Sequence, residues 1–530
     1  MSDGQDVIKR AKGLTPSEAY LAKLADHSFL DLWSYPNVYI NKTVNRGSSV
    51  GKELCDLLVL CGDHVLIFSD KTICWPDTQS VDVAWARWYR KAVKKSVDQI
   101  NGAVRWVREN PDRVFLDHAC TRPIPFPFPP AERMKLHCII VALGAGSACR
   151  EYFGEGSGSL ILLDDQPRET GEGLSPMPFT LGDVNPGGPY VHVLDDTTLD
   201  IVLQELDTIT DFTEYLERKA AFFRAGNLLG AHGEEELLAV YLKDVGPDGR
   251  HGFFKPDKSP WTTGDRLMID GGHYRSMRRN PQYVAKKKAD RISYLWDGLI
   301  RAFTKNIIGD SLVRLEGWSD RLDKNLSEVG VRYMALEDRT ARRYQSLAIR
   351  GAFETIGDKH RFFRVMMPGP SADDQDTAFC ILLFRVPEDV PEVSYEQYRQ
   401  ERTSTLYGYA LNVLKRTPKL KRIIGLAMEP HKSGQSSSED MLYAEQPEWT
   451  AEMLEEASRF RKHFDLLADD RVRGFQFRGN EYPDTKGVTA GYINPIPYEY
   501  KGSLDKREAR RVEREMRSAE RKFKSQQRKP

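Results

Sequence analysis

The chain has no excess of charge of either sign and no long hydrophobic run. Among its 530 residues, 77 are Lys or Arg and 77 are Asp or Glu, so the formal net charge at pH 7 is zero. The overall charge therefore gives no argument for a nucleic-acid partner, which only a local basic patch can provide. No apolar stretch approaches the ~20 residues of a membrane-spanning helix. We expect no membrane partner.

Cysteine is sparse and follows no metal-binding or disulfide pattern. Six of the seven cysteines precede residue 150, and none forms a Cys-x-x-Cys pair. An odd, unpatterned set in a chain of this length is typical of reduced thiols and argues against structural zinc. The first thirteen residues also lack the apolar core of a signal peptide. We therefore expect a cytoplasmic protein.

The fingerprints of nucleotide-binding loops are missing as well. The sequence contains no G-x-G-x-x-G, no G-K-[ST] and no H-E-x-x-H, and its eleven histidines are scattered. GAGS at residues 144–147 follows a predicted strand without completing either phosphate-binding pattern. The chemistry suggested by the sequence therefore lies with carboxylates and lysines.

The clearest local pattern is a predicted hairpin at residues 51–72. Residues 53–60 and 65–68 are apolar strands joined by a turn at Gly62 and Asp63, and the second strand ends in Ser69-Asp70-Lys71. Asp56 interrupts the first strand, and a buried carboxylate is costly without a partner, which we expect to be Lys71. The pair is either a structural salt bridge or part of a site in which Asp56 holds Mg²⁺ and Lys71 orients or deprotonates water.

The flanking elements give this pattern a family resemblance. Thr15-Pro16-Ser17-Glu18 opens a predicted helix at 17–32, and a long predicted helix at 81–108 carries Lys95 and Gln99. Over residues 14–145 this order resembles the core of the PD-(D/E)xK nuclease superfamily, which has a restriction-endonuclease-like fold. The resemblance implies a Mg²⁺- or Mn²⁺-dependent endonuclease that hydrolyses phosphodiester bonds in DNA, in genome or phage defence. It also implies catalytic roles for Glu18, Asp56, Asp70 and Lys71, with the three carboxylates as metal ligands.

The acid of the (D/E)-x-K motif departs from the family pattern. Because side chains alternate along a strand, the acid that shares a face with Lys71 belongs at position 69, where this chain has serine. A bulge swings Asp70 into the site, or Glu18 or Glu53 supplies the carboxylate, or the site is inactive. Glu53 has the same parity problem unless its strand begins irregularly. We assign supporting roles to Glu53, Ser69, Lys95 and Gln99.

The chain is long enough for several domains, and we predict an α/β fold class with four regions. Residues 1–210 form the nuclease-like α/β domain, with further strands at 135–143 and 190–194 and a surface excursion at 152–188. Residues 211–330 are mainly helical, and residues 331–500 form a separate α+β domain whose mixed or antiparallel sheet has helices on one face. Residues 501–530 form a charged helical tail, in which eleven Lys or Arg outnumber five Asp or Glu from position 505 onward.

The best local basic patch lies at residues 273–291. Two tyrosines, Tyr274 and Tyr283, are interleaved with its cations, a combination that suits phosphate contact and base stacking. The predicted nucleic-acid-binding residues are Arg275, Arg278, Arg279, Lys286, Lys287, Lys288 and Arg291. The other interpretation is a solvated helix face.

Two functions remain open on the sequence alone. The first is the metal-dependent DNA nuclease. The second is a catalytically inactive nuclease-fold module that binds nucleic acid or a partner protein, which serine at position 69 favours. The sequence does not distinguish DNA from RNA and gives no oligomeric state.

Overall fold

Three β-sheets organise the part of the chain that the structure describes. The computed structural model describes residues 10–41, 51–154, 156–164, 177–255, 257–308, 324–369, 374–385, 394–430, 439–446, 448–467 and 480–483. The predicted tail at 501–530 lies outside these residues. Within them the fold is mixed α/β, as predicted, and no helix is both long and apolar enough to cross a membrane.

The first sheet contains six strands and carries the predicted hairpin. The elements up to residue 205 are α1 (Pro16–Ser28), β1 (Ser34–Ile40), β2 (Lys52–Cys61), β3 (His64–Thr72), α2 (Val81–Tyr89), α3 (Lys95–Glu109), β4 (Val114–Phe115), β5 (Lys135–Leu143), α4 (Gly146–Phe153), β6 (Ile161–Leu163), β7 (Thr180–Leu181), β8 (Val191–Leu194) and α5 (Thr198–Glu205). The strand order is β4-β1-β2-β3-β5-β8, antiparallel from β4 to β3 and parallel from β3 to β8. A π-helical turn, Arg90–Lys94, joins α2 to α3.

Both faces of this sheet are covered, which explains the near-continuous apolar runs of β2, β3 and β5. On one face, Phe29 after α1 contacts Phe68 of β3, and both rings contact Phe212. On the other face, α3 packs against β2, β3 and β5. The sequence did not predict β1, in which Pro36 and Asn37 interrupt the apolar pattern.

A second, small sheet was missed by the sequence analysis. The middle elements are α6 (Ile209–Arg224), β9 (Leu228–Ala231), α7 (Glu234–Lys243), β10 (Leu267–Ile269), α8 (His273–Arg279), α9 (Pro281–Asp290) and α10 (Tyr294–Ile308). Strands β9 and β10 join two strands from the predicted excursion in the order β10-β9-β6-β7. The excursion is therefore not simply surface loop: Phe179, just before β7, is fully buried. Strands of two to four residues leave too short a pattern to read.

The third sheet lies in the C-terminal region. Its elements are α11 (Lys324–Ala335), α12 (Arg339–Ile356), β11 (Arg361–Met366), β12 (Thr377–Phe384), α13 (Tyr395–Arg416), β13 (Arg422–Met428), β14 (Glu439–Glu445) and α14 (Ala451–His463). The order is β11-β12-β13-β14, and only the central pair, β12 and β13, is parallel. The predicted mixed sheet is thus present, but the prediction of helices on one face is wrong. Alternate residues of β12 enter two different cores, because α12 packs against one face and α13 against the other.

Candidate functional site

The predicted hairpin opens at the end where the site residues lie. Strands β2 and β3 pair from Cys61 and His64 up to Leu57 and Phe68. Beyond that pair, the Asp56 side chain replaces the backbone of β2 as the hydrogen-bond acceptor for β3. Its Oδ2 accepts hydrogen bonds from the Asp70 backbone N–H at 2.6 Å and from Lys71 Nζ at 3.3 Å. The expected Asp56–Lys71 ion pair is therefore present, with Asp56 almost fully buried.

The parity problem at positions 69 and 70 is not solved by a bulge in β3. This strand keeps a regular parallel register with β5 through Thr72, so its side chains alternate without interruption. The Ser69 hydroxyl donates to Gln99 Oε1 of α3 at 3.2 Å. Asp70 lies on the opposite face, near Ser17 at the start of α1. The alternative in which a bulge turns Asp70 toward the Ser69 face is wrong.

The bulge lies in β2 instead, next to Glu53. Val38 of β1 pairs with Cys55, but Tyr39 pairs with Glu53, so Leu54 is an extra residue in β2. The irregular strand start that Glu53 needed is thus present. It brings Glu53 Oε1 within 3.0 Å of the side-chain amide of Asn37, which lies between the Pro36–Leu57 and Val38–Cys55 pairs and hence across from Asp56.

Asn37 holds two carboxylates at once. Its Nδ2 donates to Glu53 and, at 2.9 Å, to Glu18 Oε2. Asn37 is fully buried and adopts φ of +49°, a left-handed conformation that asparagine tolerates better than most residues. Its Oδ1 has no partner among the described residues. Sequence reasoning missed Asn37; the signal was an asparagine directly after proline inside an otherwise apolar segment.

Glu18 is fixed by the cap of α1 as well as by Asn37. Thr15 and Glu18 form a capping box, and Glu18 Oε2 accepts the backbone N–H groups of Leu14 and Thr15 at 2.8 and 3.3 Å. Although burial acts to raise it, the pKa of Glu18 is lowered because these groups and Asn37 donate hydrogen bonds to its charged form. Glu18 therefore remains ionised, and it has a structural role that does not depend on any metal.

Asp70 is the unusual carboxylate of the group. It is 5% exposed, and neither oxygen has a hydrogen-bond partner among the described residues. Burial raises the pKa of Asp70 to about 6; the nearby Ser17 side chain offsets part of this shift without meeting hydrogen-bond geometry, and the negative charges of Asp56 and Glu18 add to it. A buried carboxylate with no partner is costly, so a bound cation would stabilise its charged form.

We name Glu18, Glu53, Asp56 and Asp70 the acidic cluster. The positive charge of Lys71 acts on three of them, Glu53, Asp56 and Asp70. Burial raises the pKa of both Glu53 and Asp56, and each is also affected by the charges of Glu18 and Lys71. Among the described residues, no three of these carboxylates have oxygens all within 4.8 Å of one another, so the acidic cluster is not a converged set of three metal ligands. A hydrated Mg²⁺ keeps several waters and needs only one or two carboxylates as direct ligands.

The predicted supporting residues lie along α3. Gln99 is half-buried and accepts the Ser69 hydroxyl, whereas Lys95 is exposed one helical turn earlier. The π-helical turn ends directly before Lys95, and such turns are frequent at functional sites. Lys95 is therefore exposed on the same side of α3 as Gln99, which follows it by four residues.

The basic segment at 273–291 divides into an exposed and a buried half. Lys286 pairs with Asp290 and Glu481 at 2.8 and 3.3 Å, and Lys287 pairs with Glu205 at 2.6 Å. The hydroxyls of Tyr274 and Tyr283 also donate to Glu205, so these rings are not free stacking platforms. Arg278 is half-buried over Tyr274. The exposed cations are Arg275, Arg279, Lys288 and Arg291.

The GAGS loop at residues 144–147 binds a carboxylate of the protein itself, that of Asp196. The backbone N–H groups of Gly144, Ala145 and Gly146 donate to the Asp196 carboxylate at 2.9–3.1 Å. This arrangement resembles the backbone nests that bind phosphate, with the carboxylate occupying the position of the phosphate. The loop is therefore internally satisfied.

Comparisons with protein-family models, with curated proteins and with solved structures find no match to this chain.

Proposed function

We propose that the acidic cluster binds Mg²⁺ or Mn²⁺ and that the protein hydrolyses phosphodiester bonds in DNA. The observation that carries the proposal is the Asp70 carboxylate, which is buried, has no partner for either oxygen, and lies beside Asp56, Glu18 and Lys71. Four carboxylates around one lysine leave an excess of negative charge that a divalent cation would balance. Hard oxygen ligands are those that Mg²⁺ and Mn²⁺ prefer.

Asp56 and Asp70 are the ligands we assign to the ion, which when bound supplies Lewis-acid polarisation of a phosphoryl oxygen. The Lys71 amine, 3.3 Å from Asp56 and 31% exposed, is the group able to orient the attacking water and to balance charge on the phosphate. Glu18 and Glu53 accept further water hydrogen bonds, and Asn37 keeps both in place. Gln99 fixes Ser69 on the face of β3 opposite Asp70, the face that regular alternation also gives to Lys71.

The order of elements supports the PD-(D/E)xK resemblance. A helix with a glutamate precedes three antiparallel strands, and α2, α3 and the short strand β4 then lead to β5, which is parallel to β3. Asp56 and Lys71 occupy the strands that the resemblance requires, at the end where those strands separate. The nuclease family, the DNA substrate and a role in genome defence belong to this proposal.

The test is DNA cleavage by the full chain with Mg²⁺ or Mn²⁺. Asp56→Ala and Lys71→Ala should each reduce cleavage by at least about 10³-fold, because each removes a group that acts on the reacting phosphate. Lys415→Ala is the matched control, since Lys415 is an exposed lysine in the last turn of α13 in the C-terminal region, and it should retain most activity. Circular dichroism and thermal melting check that the variants fold. Unchanged cleavage in both site variants would contradict the proposal.

A second candidate function is a nuclease-fold module that binds nucleic acid without cutting it. Ser69 favours it, because the position where the family has its acid is engaged with Gln99 instead. Lys71 Nζ also donates to the Asp70 carbonyl at 3.0 Å, which ties the amine to its own strand. Binding of DNA in EDTA with no cleavage in Mg²⁺ or Mn²⁺ would select this module. Cleavage gained by Ser69→Asp would then show that the missing acid is the defect.

A further inference from the structure

A second group of ligand-type side chains lies at the other end of β3. His64 is the first residue of β3, His137 is the third residue of the neighbouring β5, and Glu217 belongs to α6, which covers this face. His64 Nδ1 and His137 Nε2 are 3.1 Å apart, and Glu217 Oε1 is 3.8 Å from His137 Nε2. His137 is buried, His64 is half-buried and Glu217 is 44% exposed, so the group opens to solvent on one side.

The two imidazoles meet edge to edge. Their planes differ by 19° and their ring centres are 5.3 Å apart, while the two nitrogens are 3.1 Å apart. Because a ring nitrogen lies about 1.1 Å from its ring centre, both nitrogens lie almost on the line between the centres. In this form the pair shares one N–H···N hydrogen bond, so one nitrogen presents a lone pair and the other a proton.

Both rings are neutral near pH 7. Burial lowers the pKa of His64 to about 4, with Lys135 adding to the shift, and burial lowers the pKa of His137 to about 3, with His64 and Lys135 adding to it. Neutral imidazole is the form that ligates metals. No proton has to be removed from an imidazolium before binding.

We propose that His64, His137 and Glu217 form a binding site for a divalent transition-metal ion of the Zn²⁺ class. Two His nitrogens and one carboxylate oxygen are the donor set of many zinc sites with an open fourth position, which water would complete. Ligand atoms about 2.0–2.1 Å from a tetrahedral ion lie roughly 3.3 Å apart. Two of the observed separations, 3.1 and 3.8 Å, bracket this value, and all three ligand atoms lie within 4.8 Å of one another.

Binding requires three rearrangements. The ring that donates the shared N–H must change tautomer: its facing nitrogen loses that proton to solvent and its other ring nitrogen takes one up, so that both facing nitrogens present lone pairs. Each ring must tilt by roughly 35° so that its lone pair leaves the nitrogen–nitrogen line, which the broad χ2 torsion of histidine permits. Glu217 must turn from Lys135, whose Nζ lies 3.6 Å from its Oε1, toward the ion. Lys135 is therefore a competitor for Glu217, and its removal should tighten binding.

The site is independent of the acidic cluster. His64 and Lys71 are seven residues apart on one strand, which at ~3.3 Å per residue separates them by about 23 Å. The donor sets also differ: nitrogen ligands favour Zn²⁺ or Co²⁺ over Mg²⁺, whereas the acidic cluster offers oxygen alone. A metal here would join α6 to β3 and β5.

The experiment uses Co²⁺ as a spectroscopic probe of the full chain, with Zn²⁺ as competitor. With excess Mg²⁺ present to occupy the acidic cluster, we expect one Co²⁺ per chain, a visible absorption spectrum typical of four-coordination, and displacement by Zn²⁺. His64→Gln and Glu217→Gln should each weaken binding by at least about 100-fold, beyond the 10–100-fold loss typical of outer-shell changes. His273→Gln and Glu132→Gln are matched controls at exposed positions and should bind normally. Lys135→Met should bind more tightly than the natural chain.

Two outcomes would overturn the site. One is the absence of Co²⁺ or Zn²⁺ binding by the folded protein at ~1 mM metal, far above ordinary zinc affinities. The other is binding that survives both His64→Gln and Glu217→Gln, or that Asp56→Asn abolishes. If His64→Gln does not fold, Glu217→Gln decides alone, because Glu217 is a half-exposed helix residue. Loss of cleavage has no bearing on this result.

Discussion

Burial shifts the pKa of ionisable side chains at both ends of strand β3, but the affected groups are acids at one end and bases at the other. At the Lys71 end, burial raises the pKa of Asp70, Asp56 and Glu53, so negative charge is disfavoured. At the His64 end, burial lowers the pKa of His64 and His137, so positive charge is disfavoured. Each end contains ionisable groups whose charged forms the sheet does not stabilise well.

The two ends differ in what would relieve this cost. The carboxylates gain from a cation while remaining charged, so a hard ion such as Mg²⁺ balances them. The imidazoles are already neutral, so they can bind a metal through their nitrogen lone pairs without first losing a positive charge. Groups with perturbed pKa values that face solvent on one side are candidates for a functional site, but structural networks of charges perturb pKa values as well. At each end of β3, mutation distinguishes a functional site from a structural network.

The largest expected effect distinguishes the two faces of β3. Asp70→Asn should reduce Mg²⁺-dependent cleavage by about 10³-fold if Asp70 is a ligand. Ser69→Ala should change it less than about tenfold, because Ser69 only donates a hydrogen bond to Gln99 of α3. Without metal, Asp70→Asn should stabilise the protein by about 1–2 kcal/mol at pH 8, since it removes an unpaired buried charge. Cleavage assays and urea denaturation measure both effects. The reverse order of activities would assign the site to the Ser69 face.

The second prediction concerns the pH dependence of stability, which should have opposite signs at the two ends. The folded-state pKa of Asp70 is raised to about 6 from 3.8. Its contribution to the free energy of unfolding is therefore fully present below about pH 4 and is lost as the pH rises through 6. The folded-state pKa of His64 is lowered to about 4 from 6.5, so its contribution is present above pH 6.5 and is lost as pH falls to 4.

Difference curves isolate each group from the other titrating residues. The stability of Asp70→Asn relative to the natural chain should rise by about 2 kcal/mol between pH 4 and 7. That of His64→Gln should instead rise by a similar amount as pH falls from 7 to 4. Chemical denaturation in EDTA at several pH values gives both curves. Flat curves would mean that neither group is buried as described.

The third prediction concerns Asn37. Asn37→Ala removes the amide shared by Glu18 and Glu53 and places a non-glycine, non-asparagine residue at φ of +49°, so it should cost about 2–3 kcal/mol. Asn37→Gly loses the same amide but accepts the backbone conformation, and should cost about 1 kcal/mol less. Both variants should weaken Mn²⁺ binding by about 10–100-fold. Equal Mn²⁺ affinity in the variants and the natural chain would mean that Asn37 does not contribute to metal binding by the acidic cluster.

The sequence predicted those parts of the site whose signals are local. The hairpin of β2 and β3, the capping box at Thr15 and Glu18, and the Asp56–Lys71 pair all lie within short stretches of apolar pattern and turn residues. The mixed or antiparallel sheet of the C-terminal region was also predicted, and the structure has a mixed one, because its strands are apolar runs bounded by turn residues. Short-range sequence patterns therefore predicted helices and strands, but not which distant residues contact one another.

The remaining features depend on contacts between distant residues. Lys286 looked like a surface cation because its partner, Glu481, is nearly two hundred positions away. Glu234, in an acidic run at the start of α7, is buried against Lys219 and Tyr215, which belong to α6. His64 and His137 are 73 residues apart and meet only because β3 and β5 are parallel neighbours. A histidine at the start of each predicted strand was the one signal available.

The smallest expected effect tests whether the His64 end exists for folding or for binding. In metal-free protein, Glu217→Gln should change stability by less than about 0.5 kcal/mol, because its contacts with Lys135 and His137 are long and Glu217 is 44% exposed. With Zn²⁺ at 100 times its Kd, the natural chain should gain about 2.7 kcal/mol and Glu217→Gln almost none. Thermal melts in EDTA and in Zn²⁺ measure the two differences. A large loss in EDTA with no added loss in Zn²⁺ would make Glu217 a structural partner of the histidines, because a metal ligand has its effect only when the ion is bound.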